Sequence, residues 1–370
     1  MTTCGTSILT NGADAEERNF LQNNANKRKK DYSPQELEQL VRIIDKRRCV
    51  LLDSSTDEQK VRRLSAELNG LIGCYRRGGG SLSDAAKDTH YLIHTDTMQG
   101  AEAAELLMEW GNANGITMSP APIKDLNTGS MAEFRLGVNR LIDWCEAFLW
   151  TYRSQDSVHV IFNLVGGFKS LQGYMQTLGM FYADETVYIF ETGNELLSIP
   201  RLPIDLTSSI RGMIAANLPL IRRLQWKSMP YEECRKIPET MLDIIDAECT
   251  LSAWGKIAFN RVKEQLYNRQ LLPSPISQIS YAGKVDSIAK NMEADRLYML
   301  NQALDRFARF IDTGRRDSLH SCDYRKLSGN PIPPSTHEFN LWSDKDGWRA
   351  FCHEEGDIVV IDSLGKGIGH

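Results

Sequence analysis

The chain has 370 residues, of which 42% are hydrophobic and 25% are charged, and its formal net charge is −5. These values indicate an ordinary folded protein of about two or three domains, and they exclude a globally basic nucleic-acid-binding protein. The 8 cysteines lie far apart and form no CxxC pair, so we expect neither a disulfide framework nor a metal site. The sequence contains no apolar run long enough for a bilayer and no signal-peptide pattern, which predicts a cytoplasmic protein.

The first half of the chain alternates between strand and helix patterns. A very short first strand leads into the turn Gly5-Thr6-Ser7, and a helix with a capping box begins at Ser33-Pro34-Gln35-Glu36. The spacing of apolar residues then predicts a helix over 61–71, a strand at 91–94, a helix at about 100–110, a short strand at 116–118, a helix at 131–153, and strands at 158–162 and 186–191. This alternation predicts an α/β fold, with a parallel sheet covered by helices on both faces.

A glycine turn follows the strand at 158–162. It reads Asn163-Leu-Val-Gly166-Gly167-Phe-Lys169, and a helical pattern begins near Ser170. Adjacent glycines allow a ligand to approach the backbone, and the start of the next helix offers unpaired N–H groups to an anion. Lys169 adds a positive charge. The spacing of a Walker loop is absent, and a tight turn without a ligand remains the alternative.

Parallel sheets bind ligands beyond the carboxyl ends of their strands, so the residues at those ends are the candidates for ligand contact. Thr95 and Asp96 follow the strand at 91–94, where simple turn chemistry is the other interpretation. The full set of candidates is Gly5, Thr6, Ser7, Thr95, Asp96, Asn163, Gly166, Gly167 and Lys169.

Two of these segments carry a family resemblance. The glycine turn with its following helix and strand resembles the second ligand-binding motif of CARF domains, the Rossmann-like sensor domains of type III CRISPR defence. The turn at residues 5–11 is similar to their first motif. The resemblance covers residues 1–205 and departs from the family only in its short first strand. It implies a homodimer that binds a cyclic oligoadenylate, with cyclic tetra-adenylate as the expected ring.

The middle region, residues 206–279, has a helical pattern. Apolar residues from Met241 to Ile245 predict a short helix, and Ser252 begins a second helix that carries Trp254 and Ile257. Two short helices with a turn between them indicate a winged helix-turn-helix, which commonly follows CARF domains. A spacer or dimerisation module is the other interpretation, because acidic residues dilute the basic ones here.

The last region, residues 280–370, predicts helices up to Asp312 and then short antiparallel strands at 338–342, 348–352 and 357–363. This order makes a small α+β domain. Three segments of this region resemble segments of RelE-like toxins. They are Tyr324-Arg-Lys-Leu-Ser-Gly-Asn, Gly347-Trp-Arg-Ala-Phe and Asp357-Ile-Val-Val-Ile-Asp. These toxins cut messenger RNA in the ribosomal A site.

Metal-free RNA cleavage requires a base for the 2′-hydroxyl, cations for the crowded phosphorane, and an acid for the leaving oxygen. Arginine suits the phosphorane because its planar fork stays charged, and histidine suits proton transfer because it titrates near neutrality. The candidates that supply these groups are Arg325, Lys326, His337, Arg349, Lys366 and His370. Each of them has a solvated or structural role as its alternative.

The whole sequence therefore resembles a fusion of a CARF domain, a winged helix and a RelE-like domain. The resemblance implies a metal-independent, ribosome-dependent messenger RNA endoribonuclease of antiviral defence that needs no cofactor. Cyclic oligoadenylate would activate it, and its partners would be a second copy of the chain and the bacterial ribosome. The alternative function is a ligand-responsive winged-helix regulator of transcription.

Overall fold

A computed structural model describes residues 1–149, 152, 157–167, 169–189, 195–314, 322–327, 333–344 and 347–367. The chain divides into two compact units, Met1–Ile204 and Asp205–His370. The predicted end of the first domain, residue 205, lies at this division. No helix in the described part of the chain is both long and apolar enough to cross a membrane.

The first unit is built on a mixed sheet that is mostly parallel. Within the described residues its strands are β1 (Thr2–Thr3), β2 (His90–Thr95), β3 (Met118–Ile123), β4 (Ile161–Asn163), β5 (Glu185–Ile189) and β6 (Leu196–Pro200). Their order is β3-β2-β1-β4-β5-β6, and only the pairing of β5 with β6 is antiparallel. The order reverses between β1 and β4, and in such doubly wound sheets this reversal is the point where a ligand crevice opens.

Helices of the first unit connect these strands. They are α1 (Ser7–Thr10), α2 (Ala15–Asn23), α3 (Pro34–Asp53), α4 (Glu58–Leu64), α5 (Ala66–Arg76), α6 (Met98–Ala113), α7 (Met131–Trp144) and α8 (Lys169–Tyr182). Short 3₁₀ segments lie at Lys29–Asp31, Arg77–Gly79 and Leu82–Lys87, and a π-helical turn at Cys145–Leu149 extends α7. The capping box of α3 is present as predicted, because Ser33 accepts from Glu36 N and Glu36 accepts from Ser33 N.

The first strand is short but central. Thr2 pairs with Leu92 on one side and with Asn163 on the other, and Cys4 N donates to Ile93 O at 2.7 Å. A strand of two residues is stable here because the neighbouring strands on both sides form hydrogen bonds with its backbone groups. Leu9, Leu40 and Leu106, all fully buried, belong to the core that α1, α3 and α6 form beside this strand.

Several elements of the first unit differ from the prediction. The helix expected over 61–71 is two helices, because Ser65 leaves the helical conformation and caps α5. The third strand begins at Met118 and continues through Pro120 and Pro122, which an edge strand tolerates since it has one free side. The antiparallel strand β6 was missed, because its segment contains proline and lacks a clear alternation.

The second unit begins with helices and a small sheet. These elements are α9 (Ser208–Ala216), α10 (Leu218–Arg223), β7 (Met229–Pro230), α11 (Tyr231–Cys234), a 3₁₀ turn at Glu239–Met241, β8 (Leu242–Ile245), β9 (Glu248–Leu251) and α12 (Ala253–Tyr267). The helix predicted from Met241 to Ile245 is wrong, because these residues form strand β8 of a hairpin. Asp246 and Ala247 close the hairpin with positive φ angles of 51° and 65°. A short apolar run does not by itself distinguish a strand from a helix.

The rest of the second unit is a sheet with helices on one face. Its described elements are β10 (Ile279–Tyr281), α13 (Gly283–Ala289), α14 (Ala294–Thr313), β11 (Arg325–Lys326), β12 (His337–Trp342), β13 (Trp348–Glu355) and β14 (Ile358–Lys366). The order is β10-β14-β13-β12-β11, with β10 parallel to β14 and the other pairs antiparallel. The predicted boundary at 279/280 falls inside β10, whose pairing with β14 holds it in this sheet.

A continuous core joins α14 to this sheet. The Phe307 ring of α14 stacks on Phe339 of β12, with ring centroids 4.0 Å apart. Ala350 and Cys352 of β13 and Ile361 of β14 are fully buried in the same cluster. One face of the sheet is therefore covered, and the residues that alternate with the core residues point to the other face.

Candidate functional site

The two turns that were predicted to bind ligand lie against each other in the first unit. Gly5 follows β1 and Gly167 follows β4, which are neighbours in the sheet. A Cβ atom added at Gly5 would lie 2.9 Å from Gly167 N, so no larger residue fits without movement. Gly167 has a φ of +104°, which glycine adopts without strain. Both turns thus occupy the crevice at the reversal of strand order.

A buried carboxylate that the sequence did not reveal ties these turns together. Glu67 of α5 is 1% exposed, and its Oε1 accepts from Gly5 N at 2.8 Å. Its Oε2 accepts from the Ser65 hydroxyl at 2.8 Å and from the Ser7 hydroxyl. A Cβ atom at Gly166 would lie 2.3 Å from Glu67 Oε1, so this glycine is required by the carboxylate. Sequence reading missed Glu67 because it stands among the apolar residues of a helix.

The Asn163 side chain lies in the protein interior, where its hydrogen bonds have a structural role. It is 4% exposed, and its Nδ2 donates to Glu67 O at 2.9 Å and to Thr2 Oγ1 at 3.3 Å. Its Oδ1 accepts from Val165 N at 3.3 Å, which shapes the glycine turn. Asn163 therefore holds β1, β4 and α5 together from inside. Lys169 differs, since it is the first residue of α8 and is exposed.

The other candidates divide between interior and surface. Thr95 is 2% exposed and shares a hydrogen bond of 2.9 Å with Thr97, the N-cap of α6. Asp96 is partly exposed and lies 3.3 Å from the Arg28 guanidinium, which also reaches Asp125. Thr6 is the N-cap of the short helix α1 and its side chain makes no capping bond. The structure thus places Gly5 and Ser7 in hydrogen bonds with Glu67, and Asp96 in a separate cluster with Arg28 and Asp125 after β2.

In the second unit, two of the predicted arginines meet on the face of the five-stranded sheet opposite to the helices. Arg325 Nε donates to Glu338 Oε1 at 2.9 Å, and Arg349 Nη1 donates to the same oxygen. The Glu338 side chain is 5% exposed, while those of Arg325 and Arg349 are 39% and 21% exposed. Hydrogen bonding to Glu338 raises the pKa of Arg325. Two guanidinium groups therefore share one carboxylate at a surface that solvent reaches.

Lys326 and His337 lie on the opposite face. They are cross-strand partners in β11 and β12, and each alternates with a member of the arginine pair. The His337 ring stacks on Tyr324 at 5.1 Å between centroids, and Tyr324 in turn contacts Phe307 of the core. Lys366 is opposite Trp348 in the register, so it also points away from Arg349. His370 lies outside the described residues.

A second carboxylate-centred group lies on β13 and β14. His353 Nδ1 is 2.9 Å from Asp362 Oδ1, and the Ser335 hydroxyl donates to Asp362 Oδ2 at 2.7 Å. The hydrogen bonds of His353 to Asp362 and then to Glu355 raise the pKa of this histidine. His353 was not among the histidines predicted from the sequence. The available signal was the pair of strands predicted at 348–352 and 357–363, since a hairpin between them brings His353 beside Asp362.

The described residues contain no group of three or more His, Cys, Asp or Glu side chains arranged to hold a metal ion. The polar clusters of the described residues each consist of a carboxylate and its hydrogen-bond donors.

The strand order and the adjacent turns define the first unit as a doubly wound α/β fold with a crevice at its switch point. Residues 62–202 match the model of a family described as CRISPR-associated protein (Cas_APE2256). The match begins in α4, includes Glu67 and the glycine turn, and ends just after β6, so it covers less than half of the chain. It supports a CRISPR-associated protein. A search of curated proteins gave no match.

Proposed function

We propose that the protein is a ribonuclease of CRISPR antiviral defence, which cyclic oligoadenylate activates and which cuts messenger RNA on ribosomes. The observation that carries the nuclease part is the convergence of Arg325 and Arg349 on Glu338, on the face of the five-stranded sheet opposite to the helices. The family match of residues 62–202 supports the defence role.

The sensor part rests on the crevice of the first unit. A cyclic oligoadenylate presents phosphates, and the turns at Gly5 and Gly167 lie against each other at the switch point, where doubly wound sheets bind their ligands. Lys169 adds a cation at the start of α8, where the helix dipole also favours an anion. A cyclic tetra-adenylate has two-fold symmetry, and a symmetric homodimer would present the same crevice twice to it.

The nuclease part follows from the arginine pair. The 2′-hydroxyl loses its proton to a base and attacks the neighbouring phosphate, and the bond to the 5′-oxygen breaks as that oxygen takes up a proton, which leaves a 2′,3′-cyclic phosphate. Negative charge builds on the phosphorane oxygens in this step, and guanidinium groups stabilise that charge well. Glu338 holds both groups in place before substrate binds. We assign the phosphorane to Arg325 and Arg349, with Glu338 as the residue that positions them. Because Lys326 and His337 lie on the other face, we assign them no contact with the reacting phosphate.

The test is cell-free translation with a defined messenger, with and without cyclic tetra-adenylate. Wild-type protein should cut the messenger only with the ligand and only in the presence of ribosomes. Arg349→Ala should reduce the cleavage rate by at least about 100-fold, the usual effect of losing one group that stabilises the transition state. Arg235→Ala is the matched control, because this exposed arginine follows α11, pairs with Glu232 and belongs to no strand of the five-stranded sheet.

Other outcomes would change the proposal in defined ways. Cleavage of free RNA at the same rate would remove the ribosome from the mechanism. Full activity in Arg349→Ala would remove the arginine pair as the active site. No cleavage with cyclic rings of any size would contradict the nuclease and leave transcription control as the alternative.

The hairpin that β8 and β9 form in the second unit argues against transcription control. A winged-helix protein inserts or lays such a hairpin against DNA phosphates, which requires Lys or Arg. The hairpin at 242–251 contains Asp243, Asp246 and Glu248 and neither Lys nor Arg. Duplex DNA binding with a steep dependence on salt concentration would overturn this argument.

A further inference from the structure

His353 of β13 and Asp362 of β14 form a pair on the same face of the five-stranded sheet as the arginine pair. Ala350 and Cys352 of β13 are buried in the core beside α14. Arg349 and His353 alternate with these two residues along the strand, so they point to the opposite face. Asp362 has no partner where the register of β13 and β14 shifts, and its contact with His353 places it on that face as well.

His353 lies one row of cross-strand partners away from the arginine pair. Arg325, Glu338 and Phe351 are partners across β11, β12 and β13. His353 is two residues beyond Phe351, which makes it a diagonal neighbour of Glu338, and such neighbours lie about 7–8 Å apart. The Phe351 ring lies toward Gly365, on the side away from His353, since a Cβ atom at Gly365 would be 3.6 Å from it. A phosphate held by the arginine pair would therefore lie close to the histidine.

Asp362 fixes the orientation of the His353 ring. The Nδ1 atom of His353 is 2.9 Å from Oδ1 and 3.0 Å from Oδ2 of this carboxylate. Asp362 is 8% exposed, and the hydroxyl of Ser335, a fully buried residue, donates to its Oδ2 at 2.7 Å. A carboxylate at Nδ1 keeps a proton on that nitrogen and leaves Nε2 as the nitrogen that can exchange a proton with a substrate.

The Nε2 atom of His353 lies at the edge of the sheet face that solvent reaches. Its partner is Glu355 Oε1 at 3.0 Å, and the Glu355 side chain is 68% exposed. A contact to so exposed a carboxylate is weak in water, so a substrate oxygen can take its place. The hydrogen bonds to Asp362 and then to Glu355 raise the pKa of His353. At neutral pH more of this ring is therefore protonated than in an ordinary histidine.

We propose that His353 is the general acid of messenger cleavage and that Asp362 is its positioning residue. The 2′-hydroxyl gives its proton to a water molecule, and its oxygen forms a bond to phosphorus. The bond from phosphorus to the 5′-oxygen breaks, and this oxygen keeps the electron pair and takes the proton from His353 Nε2. The neutral histidine then regains a proton from solvent. This assignment rests on the proposed nuclease function.

The experiment compares two leaving groups, using full-length protein, cyclic tetra-adenylate, ribosomes and a short synthetic messenger. The linkage that the wild type cuts is mapped first and is then made with either oxygen or sulfur at its 5′ position. A thiolate leaves without a proton, so His353→Gln should slow cleavage about 100- to 1,000-fold on the oxygen messenger and less than about 3-fold on the sulfur messenger. His337→Gln is the matched control, because this histidine stacks on Tyr324 on the other face, and it should cut both messengers like wild type.

The dependence of the cleavage rate on pH gives a second readout. On the oxygen messenger the wild-type rate should fall as the pH rises through the pKa of His353, because the donor loses its proton. Asp362→Asn removes the adjacent negative charge, lowers that pKa and should move the fall to lower pH by about one unit or more. The other charged groups facing the ring are Glu355 and, one row away, Glu338 with its two arginines, and this variant leaves them in place.

Three results would overturn the general acid. The first is equal rates for wild type and His353→Gln on the oxygen messenger. The second is an equal loss on both messengers in a variant whose melting temperature matches wild type. The third is the same fall with pH for wild type on both messengers, and this comparison decides the question if His353→Gln does not fold.

Failure of the general acid and failure of the nuclease give different results. If the wild type cuts the messenger and His353→Gln cuts it equally well, only the assignment of His353 fails. If the wild type cuts neither messenger, the nuclease fails and the assignment fails with it.

Discussion

The two units each bury a carboxylate beneath their candidate site, but they surround it differently. In the first unit Glu67 accepts hydrogen bonds from an amide and two hydroxyls and carries no paired cation among the hydrogen bonds described for it. In the second unit Glu338 accepts from two guanidinium groups. The first arrangement fixes the shape of a crevice, whereas the second concentrates positive charge around a nearly buried anion.

Sheet architecture explains this difference. A parallel sheet is covered on both faces, so ligands reach it only at the carboxyl ends of its strands. The largely antiparallel sheet of the second unit packs against α14 on one face, and the Arg325, Arg349 and Glu338 cluster lies on the other. Its site therefore lies on a face and not at strand ends. The predictions below test this contrast, in order of decreasing effect on stability.

The largest effect should come from a buried ion pair in the second unit. Arg222 is fully buried, and its Nε is 2.8 Å from Asp305 Oδ1, while Tyr267 donates to the same carboxylate. Arg222→Ala leaves Asp305 uncompensated and should lower the free energy of unfolding by about 3–5 kcal/mol. In calorimetry the transition of the second unit should move to lower temperature and that of the first should stay. Equal displacement of both would show that the units unfold as one.

The second-largest loss of stability should come from substitution of Glu67. Glu67→Ala removes the acceptor for Gly5 N, Ser7 and Ser65, and should destabilise the first unit by about 2–4 kcal/mol, since unpaired buried donors are costly. Glu67→Gln keeps an acceptor oxygen, so the free energy of unfolding of the first unit should fall by only about 1 kcal/mol. Chemical denaturation followed by near-UV circular dichroism measures both. If Ala and Gln cost the same, the hydrogen bonds do not carry the stability.

The third-largest effect is a dependence of folding stability on pH, which we expect in both units. Hydrogen bonding to Arg77, against the opposing effect of burial, lowers the pKa of Glu185 to about 2. Burial alone would raise the pKa of Asp312, but hydrogen bonds from Arg223, Trp226 and Lys227 outweigh it and lower the pKa to about 2. Both carboxylates are depressed in the folded state, so their stabilisation is full above about pH 5 and is lost as the pH falls toward 2.

The exposure of the cationic partners, 42% for the Arg77 side chain and 27% for that of Arg223, limits this contribution to about 2 kcal/mol for each carboxylate. Glu185→Gln should flatten the acid side of the stability profile for the first unit only, and Asp312→Asn should do so for the second only. Thermal melts between pH 7 and pH 3 measure this. An unchanged profile in either variant would show that other groups control acid unfolding in that unit.

The smallest effect on stability should come from Glu338→Gln. Its two arginine partners are partly exposed, so solvent screens their repulsion and the expected loss is about 1 kcal/mol. Messenger cleavage should fall much more, because the two guanidiniums lose the anion that positions them. The binding of cyclic tetra-adenylate should not change. The reverse result, with ligand binding lost and cleavage kept, would exchange the roles assigned to the two units.

Sequence reasoning was most successful where short-range rules apply. The capping box at Ser33 and Glu36 and the strand that ends at Thr95 both depend on residues within a few positions of each other. The hairpin at 242–251 was misread because its two strands are each four residues long, too short for a periodicity to decide. The strand at 279–281 was missed because its partner, β14, lies about 80 residues later.

The sequence by itself determined that the chain alternates strands and helices, that glycine turns follow two strands, and that arginines lie in the last strands. It did so because capping, periodicity and turn geometry are local properties. Only the tertiary structure decided which groups meet. It placed Glu67 beneath Gly5 and Gly166, and Arg325 beside Arg349 and away from Lys326. Strand order and register set those contacts, and both depend on residues far apart in the chain.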